Sequence, residues 1–248
     1  MKIATWNVNG IRARQAQFLD WIEGERPDVV CLQELKATPE QLAFDLRDLE
    51  GYYCFWHGSG PQSGVSIHVR RDNREVEPLY SHPTFDRQTR IVEAHFDNLS
   101  VVSMYVPNGG KDFNDKMLFL REFREWMAAQ SKTTELLVVC GDMNVTRDDR
   151  DLHPKERNPK AIGQRPEERL LFEDILEEGL VDLVRQFHPE DYDFFTWWAP
   201  WRNNRERNIG WRLDYVMASE ALAARATACP VQATVGTSDH APVMATFA

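Results

Sequence analysis

An apolar run near the middle of the chain most restricts what this sequence can fold into. Residues 136–140 read Leu-Leu-Val-Val-Cys, and such a run predicts a β-strand that is covered on both faces. The run ends at Gly141, and Asp142 and Asn144 follow at once. Ligands of open α/β sheets bind beyond that end of a central strand. Two residues apart in an extended chain, Asp142 and Asn144 would point their side chains the same way. An ordinary turn is the alternative, because Gly, Asp and Asn are common turn residues.

The rest of the chain alternates between strand-like and helix-like patterns, which indicates a layered α/β domain. The predicted strands cover residues 2–8, 29–32, 52–56, 64–70, 90–96, 99–106, 136–140, 211–218 and 243–247. The predicted helices cover residues 11–21, 39–49, 112–129 and 166–178. Between them lies a polar segment, residues 146–165, that contains prolines and many charges. A loop of this length in a compact domain is usually functional or mobile.

Composition excludes several classes of protein. No apolar stretch is long enough to span a bilayer, and the N-terminus enters a strand-like pattern directly, so we expect neither a membrane segment nor a signal peptide. The four cysteines lack metal-ligand spacing, and we expect reduced thiols in a cytoplasmic protein. The net charge of −10 argues against a general nucleic-acid coat protein, but it allows a nuclease whose basic groups are local. One basic cluster, four arginines within residues 202–212, has a solvated loop as its alternative interpretation.

Polar side chains accumulate at the predicted strand ends. They are Asn7, Glu34, Tyr105, Asp142, Asn144, Asp214, Asp239 and His240. Four of them are carboxylates that come from segments far apart in the chain, and oxygen ligands of this kind suit Mg²⁺ or Mn²⁺. Zinc fits less well, because the set contains one histidine and no cysteine. Mg²⁺ held by one or two carboxylates typically acts on a phosphate substrate.

Six short segments, spread from one end of the chain to the other, carry a family resemblance. They are Trp6–Gly10, Leu32–Glu34, Tyr105–Asn108, Gly141–Asn144, Gly210–Tyr215 and Ser238–Pro242. In their order and residues they resemble the exonuclease III type of apurinic/apyrimidinic endonuclease, in the endonuclease/exonuclease/phosphatase superfamily. The resemblance implies a four-layer α/β sandwich, with two packed mixed β-sheets flanked by helices, and a single catalytic domain over residues 1–248.

The same resemblance implies an activity. It predicts a Mg²⁺-dependent phosphodiesterase, with Mn²⁺ as a substitute, that cuts duplex DNA on the 5′ side of abasic sites. Trimming in the 3′–5′ direction and cleaning of damaged 3′ ends are expected as further activities, and the protein is expected to be a monomer. A phosphatase of the same superfamily, acting on inositol phosphates or lipid headgroups, is the alternative. Such phosphatases usually lack the segments at 105–108 and 210–215, which are intact here. A catalytically silent DNA-binding protein would have lost a catalytic residue, and none is lost.

Roles for individual residues follow from the resemblance. Asp142 would orient the attacking water or accept its proton, and His240 with Asp214 would form a histidine–carboxylate dyad. Glu34 would be the main metal ligand, although it could instead pair with Lys36 at the surface. The implied catalytic residues are Tyr105, Asp142, Asn144, Asp214 and His240. The implied metal ligands are Asn7, Glu34, Asp142, Asn144, Asp239 and His240.

Substrate selection requires a further set of residues. The resemblance places an apolar pocket for an extrahelical abasic sugar at Trp197, Trp211 and Leu213, and flipping a baseless sugar costs less than flipping a paired base. Trp201 lies where relatives insert a wedge into the duplex, whereas we expect Trp198 to pack in the core. Asn108 would contact the phosphate or the edge of the site. Candidate contacts to DNA phosphates are Arg12, Arg14, Lys111, Arg202, Arg205 and Arg207.

Overall fold

Two six-stranded β-sheets face each other in the computed structural model, which describes residues 1–72 and 76–248. The strands are β1 (Lys2–Asn7), β2 (Val29–Gln33), β3 (Tyr52–His57), β4 (Val65–Arg70), β5 (Leu79–Ser81), β6 (Ile91–Phe96), β7 (Leu99–Tyr105), β8 (Leu136–Asp142), β9 (Leu180–Asp182), β10 (Asp214–Ser219), β11 (Ala226–Ala228) and β12 (Val243–Phe247). The helices are α1 (Ile11–Glu25), α2 (Phe44–Arg47), α3 (Phe113–Gln130), α4 (Pro166–Glu177), α5 (Leu183–Phe187) and α6 (Glu220–Ala223). Short 3₁₀ turns occur at Pro39–Gln41, Asp149–Asp151 and Pro154–Glu156.

Each sheet mixes parallel and antiparallel neighbours. The first sheet has the order β11-β12-β1-β2-β4-β3, and the second has the order β5-β6-β7-β8-β10-β9. Apolar side chains of both sheets, such as Ile67 and Val138, fill the space between them. Helix α1 covers the outer face of the first sheet through Phe18, and α3 with α4 covers the outer face of the second through Phe123 and Phe172. The predicted four-layer α/β sandwich is confirmed.

Strand β8 shows why the apolar run specifies this architecture. It pairs in parallel with β7 and antiparallel with β10. Val138 faces the core between the sheets, whereas Val139 faces the core under α3 and α4. Alternate side chains are therefore buried on opposite faces, and full burial of each contributes roughly 1.5–3 kcal/mol. A continuous apolar run is what a strand in this position requires.

Two predicted elements were wrong in extent. The predicted helix at 39–49 is a 3₁₀ turn followed by the short α2, because Leu42 and Ala43 between them have extended backbones with ψ of 143° and 153°. The predicted strand at 211–218 begins only at Asp214, since Trp211 lies in isolated bridges to Leu152 and Trp197. The short elements β5, β9, β11, α5 and α6 were not predicted, because three to five residues are too few to show a periodicity.

The structure also bears on the membrane and thiol expectations. No helix in the described ranges combines the length and apolar character that crossing a membrane requires. The four cysteines, Cys31, Cys54, Cys140 and Cys229, are free thiols, as expected. Cys31 and Cys140 are buried among the apolar side chains between the sheets.

Candidate active site

The pairing of β8 with its two neighbours brings three polar side chains to one end of the second sheet. Tyr105, the last residue of β7, lies opposite Asp142 in the parallel pair. Asp214, the first residue of β10, lies opposite Asp142 in the antiparallel pair. Asn7 ends β1 in the facing sheet and donates from Nδ2 to Asp142 Oδ2 at 2.9 Å. Both sheets therefore contribute to one group of side chains around Asp142.

The carboxylate of Asp142 is the centre of this group and is buried. Besides Asn7, it accepts from the side chain of Asn144 at 3.1 Å and from the backbone N–H of Asn144 at 3.0 Å. Burial is the main cause that raises the pKa of Asp142 to about 7, and the charges of Asp214 and Glu34 add to it. A carboxylate with this pKa can accept a proton near neutral pH.

A histidine lies beside this carboxylate. His240 Nδ1 is 2.8 Å from Asp214 Oδ2, and its Nε2 is 3.9 Å from Asp142 Oδ2. Burial alone would lower the pKa of His240, but the carboxylate of Asp214 raises it to about 10. The imidazole is therefore held as a cation at neutral pH, with Nε2 directed toward the centre of the site. The two residues of the predicted dyad are in direct contact.

Thr196, which is not among the predicted site residues, fixes the orientation of Asp214. Its hydroxyl donates to Asp214 Oδ2 at 2.6 Å and accepts from the backbone N–H groups of Leu213 and Asp214 at 2.9 and 3.0 Å. The only sequence signal is one hydroxyl residue inside an aromatic run, Phe194–Trp198.

Glu34 begins a chain of polar contacts along the other side of the site. Tyr105 Oη donates to Glu34 Oε1 at 2.6 Å, and Lys36 Nζ lies 2.8 Å from Glu34 Oε2. Lys36 also donates to Asn9 Oδ1 at 2.6 Å, and Asn9 donates to Asp239 Oδ1 at 2.7 Å. Burial opposes ionisation of Glu34, but the hydrogen bonds from Lys36 and Tyr105 lower its pKa below the usual value. The Glu34–Lys36 pair considered as an alternative exists, but it lies within the site.

Several of these residues have a backbone conformation that non-glycine residues rarely adopt. The φ angles of Asn9, Glu34 and Asn144 are 44°, 52° and 50°. Left-handed conformations at such residues cost energy and cluster at functional sites. Gly141 has a φ of 143°, and a Cβ added there would lie 1.9 Å from the carbonyl oxygen of Met104. The close approach of β7 and β8 just before Asp142 therefore requires glycine.

The donor set fits a hard divalent cation. One ligand atom each from Asp142, Asp214 and His240 lie within 4.8 Å of one another. Asp214 Oδ1 is buried and has no hydrogen-bond partner among the described residues. Two buried carboxylates this close repel each other; the His240 cation beside them offsets part of that cost, and a bound divalent cation would offset more of it. Of the predicted ligands, Asp142 and His240 belong to this group, whereas Glu34 and Asp239 lie in the chain through Lys36 and Asn9.

A buried ion pair supports Asn144 from behind. The side chains of Lys116 and Glu168 are in contact and fully buried. Lys116 Nζ donates to the carbonyl of Asn144 at 2.7 Å, and Glu168 Oε2 accepts from the backbone N–H of Gly163 at 2.8 Å. The pair therefore ties α3 and α4 to Asn144 and to the loop at 146–165.

The predicted pocket residues form one wall next to His240. The rings of Trp197 and Trp211 meet edge to face with centroids 5.6 Å apart, and Trp197 lies 6.4 Å from the ring of His240. Trp197 Nε1 also donates to Asp239 Oδ2 at 3.1 Å. Leu213 is buried, and its backbone N–H donates to the hydroxyl of Thr196, which also holds Asp214. Trp198 is buried, as expected for core packing.

The other predicted DNA contacts differ in accessibility. Trp201 is 60% exposed, and Arg12 and Asn108 are exposed as well. Asn108 and Lys111 line an open cleft that begins at Tyr105. Arg14 donates to the carbonyl of Asn9, and Arg202 and Arg207 are exposed.

Two arginines of the basic cluster have other partners. The guanidinium of Arg205 donates to the carbonyls of Ala233, Val235, Gly236 and Ser238, so it holds that loop in place. Arg212 is fully buried between Asp151 and Asp182, with closest contacts of 2.8 Å to each. The interpretation of residues 202–212 as a basic surface is therefore wrong for Arg212.

Comparison with known proteins identifies the family of this chain. Residues 4–240 match the Endonuclease/Exonuclease/phosphatase family. The chain belongs to this family. Among curated members, the DNA repair nuclease APEX1 of Danio rerio is 33% identical over 98% of this chain and 81% of its own length. The exodeoxyribonuclease of Bacillus subtilis is 32% identical over 98% of both chains.

Solved structures of similar proteins agree with the family's fold. The 3′ phosphatase NExo of Neisseria, solved with a product DNA hairpin, has a TM-score of 0.90 and 31% identity, covering 100% of this chain and 99% of its own. An AP endonuclease of Archaeoglobus fulgidus has a TM-score of 0.88 and 29% identity, with the same coverage. The family's sandwich thus extends over the whole of this chain.

Proposed function

We propose that this chain is a DNA-repair nuclease that hydrolyses the phosphodiester bond on the 5′ side of abasic sites in duplex DNA. Trimming of 3′ ends and removal of 3′ blocking groups are proposed as further activities of the same site. Full-length similarity to an AP endonuclease, an exodeoxyribonuclease and a 3′ phosphatase supports this range of substrates. We further propose that residues 1–248 act as one catalytic domain, as a cytoplasmic monomer.

The observation that carries the proposal is the arrangement around Asp142. Hydrolysis of a phosphodiester needs a group that takes a proton from water and a cation that faces the phosphate oxygens. Asp142, with a pKa of about 7, and His240, with a pKa of about 10, provide these two groups 3.9 Å apart. Their hydrogen bonds to Asn7, Asn144 and Asp214 fix both side chains before substrate binds.

Each neighbour has a separate part in this proposal. Asn144 donates from Nδ2 to Asp142 Oδ2 at 3.1 Å and to the carbonyl of Val106 at 3.0 Å, so it holds the carboxylate in place. A hydrogen bond to the charged phosphate oxygen would replace one of these two. Asp214 keeps the His240 imidazole protonated at Nδ1 and fixes its orientation. Tyr105, whose hydroxyl donates a hydrogen bond to Glu34, is proposed to act near the leaving oxygen.

We propose Mg²⁺ as the cofactor, with Mn²⁺ as a substitute. A divalent cation supplies Lewis-acid stabilisation of the negative charge on the scissile phosphate. The residues proposed to hold it are Asn7, Glu34, Asp142, Asn144 and Asp239. The predicted ligand His240 is left out of this set, because its protonated imidazole has no free lone pair for a metal ion.

Recognition of damage is assigned to the aromatic wall and the residues around it. Trp197 and Trp211, which lie in contact next to His240, and Leu213 are proposed to receive a sugar without a base, because such a sugar is cheaper to extrude than a paired nucleotide. Trp201 projects from the surface, as a wedge into the duplex requires. We propose that Arg12, Asn108 and Arg205 contact the DNA backbone. Arg205 would act chiefly by holding the protein loop at 233–238 in place.

Three substrates test the proposal directly: an abasic duplex, a duplex with a 3′ phosphate, and an inositol polyphosphate. We expect cleavage of the first two in Mg²⁺, arrest by a chelator, and recovery with Mg²⁺ or Mn²⁺. Release of phosphate from the inositol polyphosphate alone would show that the family's phosphatase chemistry, and not DNA repair, is the function.

A variant tests the role of Asp142. Asp142→Asn should remove cleavage while duplex binding, measured by fluorescence anisotropy, persists, because the amide keeps the shape of the side chain but cannot accept the proton. The matched control is Asp45→Asn, an exposed carboxylate that accepts from Gln15. Full cleavage by Asp142→Asn would contradict the assignment.

A further inference from the structure

A second group of metal-binding side chains lies outside the candidate active site, where the edges of the two sheets meet. His57 is the last residue of the edge strand β3, and His82 follows the last residue of the edge strand β5. Asp86 lies in the segment that leads to β6. One ligand atom from each of the three lie within 4.8 Å of one another.

Two of these ligands are already positioned. Asp86 Oδ2 lies 2.6 Å from His57 Nε2, and Asp86 Oδ1 accepts from the backbone N–H of Arg90 at 2.8 Å. The Asp86 side chain is 1% exposed, and that of His57 is 19% exposed. The carboxylate thus has little freedom to reorient, and one face of the group remains open to solvent.

The third ligand is free to join them. The ring of His82 is exposed and stacks on that of His57, with centroids 4.9 Å apart and planes 18° from parallel. Within the described part of the chain, its ring nitrogens have no hydrogen bond. Two residues before each histidine, the rings of Phe55 and Tyr80 are stacked with centroids 4.7 Å apart. This contact holds the edge strands β3 and β5 next to each other, so the two imidazoles that follow also lie side by side.

We propose that His57, His82 and Asp86 form a binding site for a transition-metal ion such as Zn²⁺, which fastens the edge of one sheet to the edge of the other. Two imidazoles and one carboxylate are a zinc-type donor set, whereas Mg²⁺ prefers oxygen ligands alone. Metal–ligand distances of about 2.0–2.2 Å put tetrahedral ligand atoms about 3.3–3.6 Å apart. The observed group reaches that spacing when the ion takes the place of the proton between His57 and Asp86 and the exposed ring of His82 turns inward. Water completes the coordination from the open face.

Calorimetric titration with Zn²⁺ tests this site, with millimolar Mg²⁺ present to occupy the oxygen-rich active site. The variants are His82→Ala, which removes an exposed ring, and His57→Gln, which keeps an amide that can donate to Asp86. The matched control is His188→Ala, because His188 is also paired with a carboxylate, that of Asp191 at 2.9 Å, and is stacked on Phe194. We expect wild type and the control to share one Zn²⁺ site whose affinity falls at least about tenfold in both cluster variants.

Two further readouts separate ligand loss from misfolding. Without metal, His82→Ala should unfold at the same temperature as wild type. With Zn²⁺, the unfolding temperature should rise for wild type and for His188→Ala but not for His82→Ala, because ligands that bind only the folded state stabilise it. Co²⁺ should give visible absorption bands of tetrahedral type in wild type that are lost in His82→Ala. Equal Zn²⁺ affinity and stoichiometry in all four proteins would overturn the proposal and leave an ion pair beside an exposed histidine.

Discussion

Replacing Lys116 by methionine tests the buried ion pair behind Asn144. Both charged side chains of the pair are fully buried, and removal of one partner of such a pair typically costs about 3–5 kcal/mol, because the remaining charge is uncompensated. Methionine has nearly the volume of the lysine stem, so packing adds little. Glu168 keeps two backbone donors, the N–H groups of Gly163 and Arg165. We therefore expect a loss near the lower limit, about 3 kcal/mol.

The assay is urea and thermal unfolding of the variant and of wild type. For a chain of this length, about 3 kcal/mol corresponds to a fall in Tm of about 6–12 °C. The double variant Lys116→Met/Glu168→Gln should regain at least half of the loss, because its buried side chains are both neutral. Loss of the Lys116 bond to Asn144 should also reduce kcat on an abasic duplex by about 10–100-fold. The reasoning is refuted if Lys116→Met stays within about 1 kcal/mol of wild type, or if the double variant is no more stable than the single one.

Three further changes probe other parts of the molecule. Burial opposes ionisation of Asp151, but Arg212 lowers its pKa to about 2. The pair therefore adds roughly 2 kcal/mol to the free energy of unfolding above about pH 4, and this contribution is lost as the pH falls toward 2. The free energy of unfolding of Asp151→Asn, measured with urea across that pH range, should change less with pH than that of wild type. Gly141→Ala should cost about 3 kcal/mol of unfolding free energy and lower cleavage, because the new Cβ meets Met104; unchanged stability would contradict that contact. Trp201→Ala should change stability by no more than about 0.5 kcal/mol yet weaken binding of an abasic duplex, and anisotropy that matches wild type would exclude the wedge role.

Much of the frame is legible in the sequence, because it depends on local pattern. The apolar run at 136–140 marks the central strand of the second sheet, and Asp142 and Asn144 after it do lie side by side. Parallel pairing of β1 with β2 and of β7 with β8 brings strand ends together, so polar residues at those ends gather in one place. The six short segments supply the order of the site residues.

Other features depend on contacts between distant segments and are not legible. Arg212 reads as part of a basic loop, but pairing with Asp151 and Asp182 places it in the interior. Thr196 contributes to the site only because the fold places its hydroxyl next to the carboxylate of Asp214. The left-handed backbone at Glu34 follows from the surrounding structure and has no residue signature, whereas Asn144 is of a residue type that adopts this conformation more readily.

The hydrogen bond between Asn7 and Asp142 spans the gap between the two sheets. Neither half of the chain contains all the site residues. The N-terminal half, with β1 and β2, carries Asn7 and Glu34, and the C-terminal half carries Asp142 and Asp214. Turnover therefore requires that the two sheets are packed together. A chain cut between α3 and β8 divides both sheets, so its two fragments should recover cleavage only upon reassociation. An enzyme assembled in this way cannot have been shortened to a single sheet and remained a catalyst.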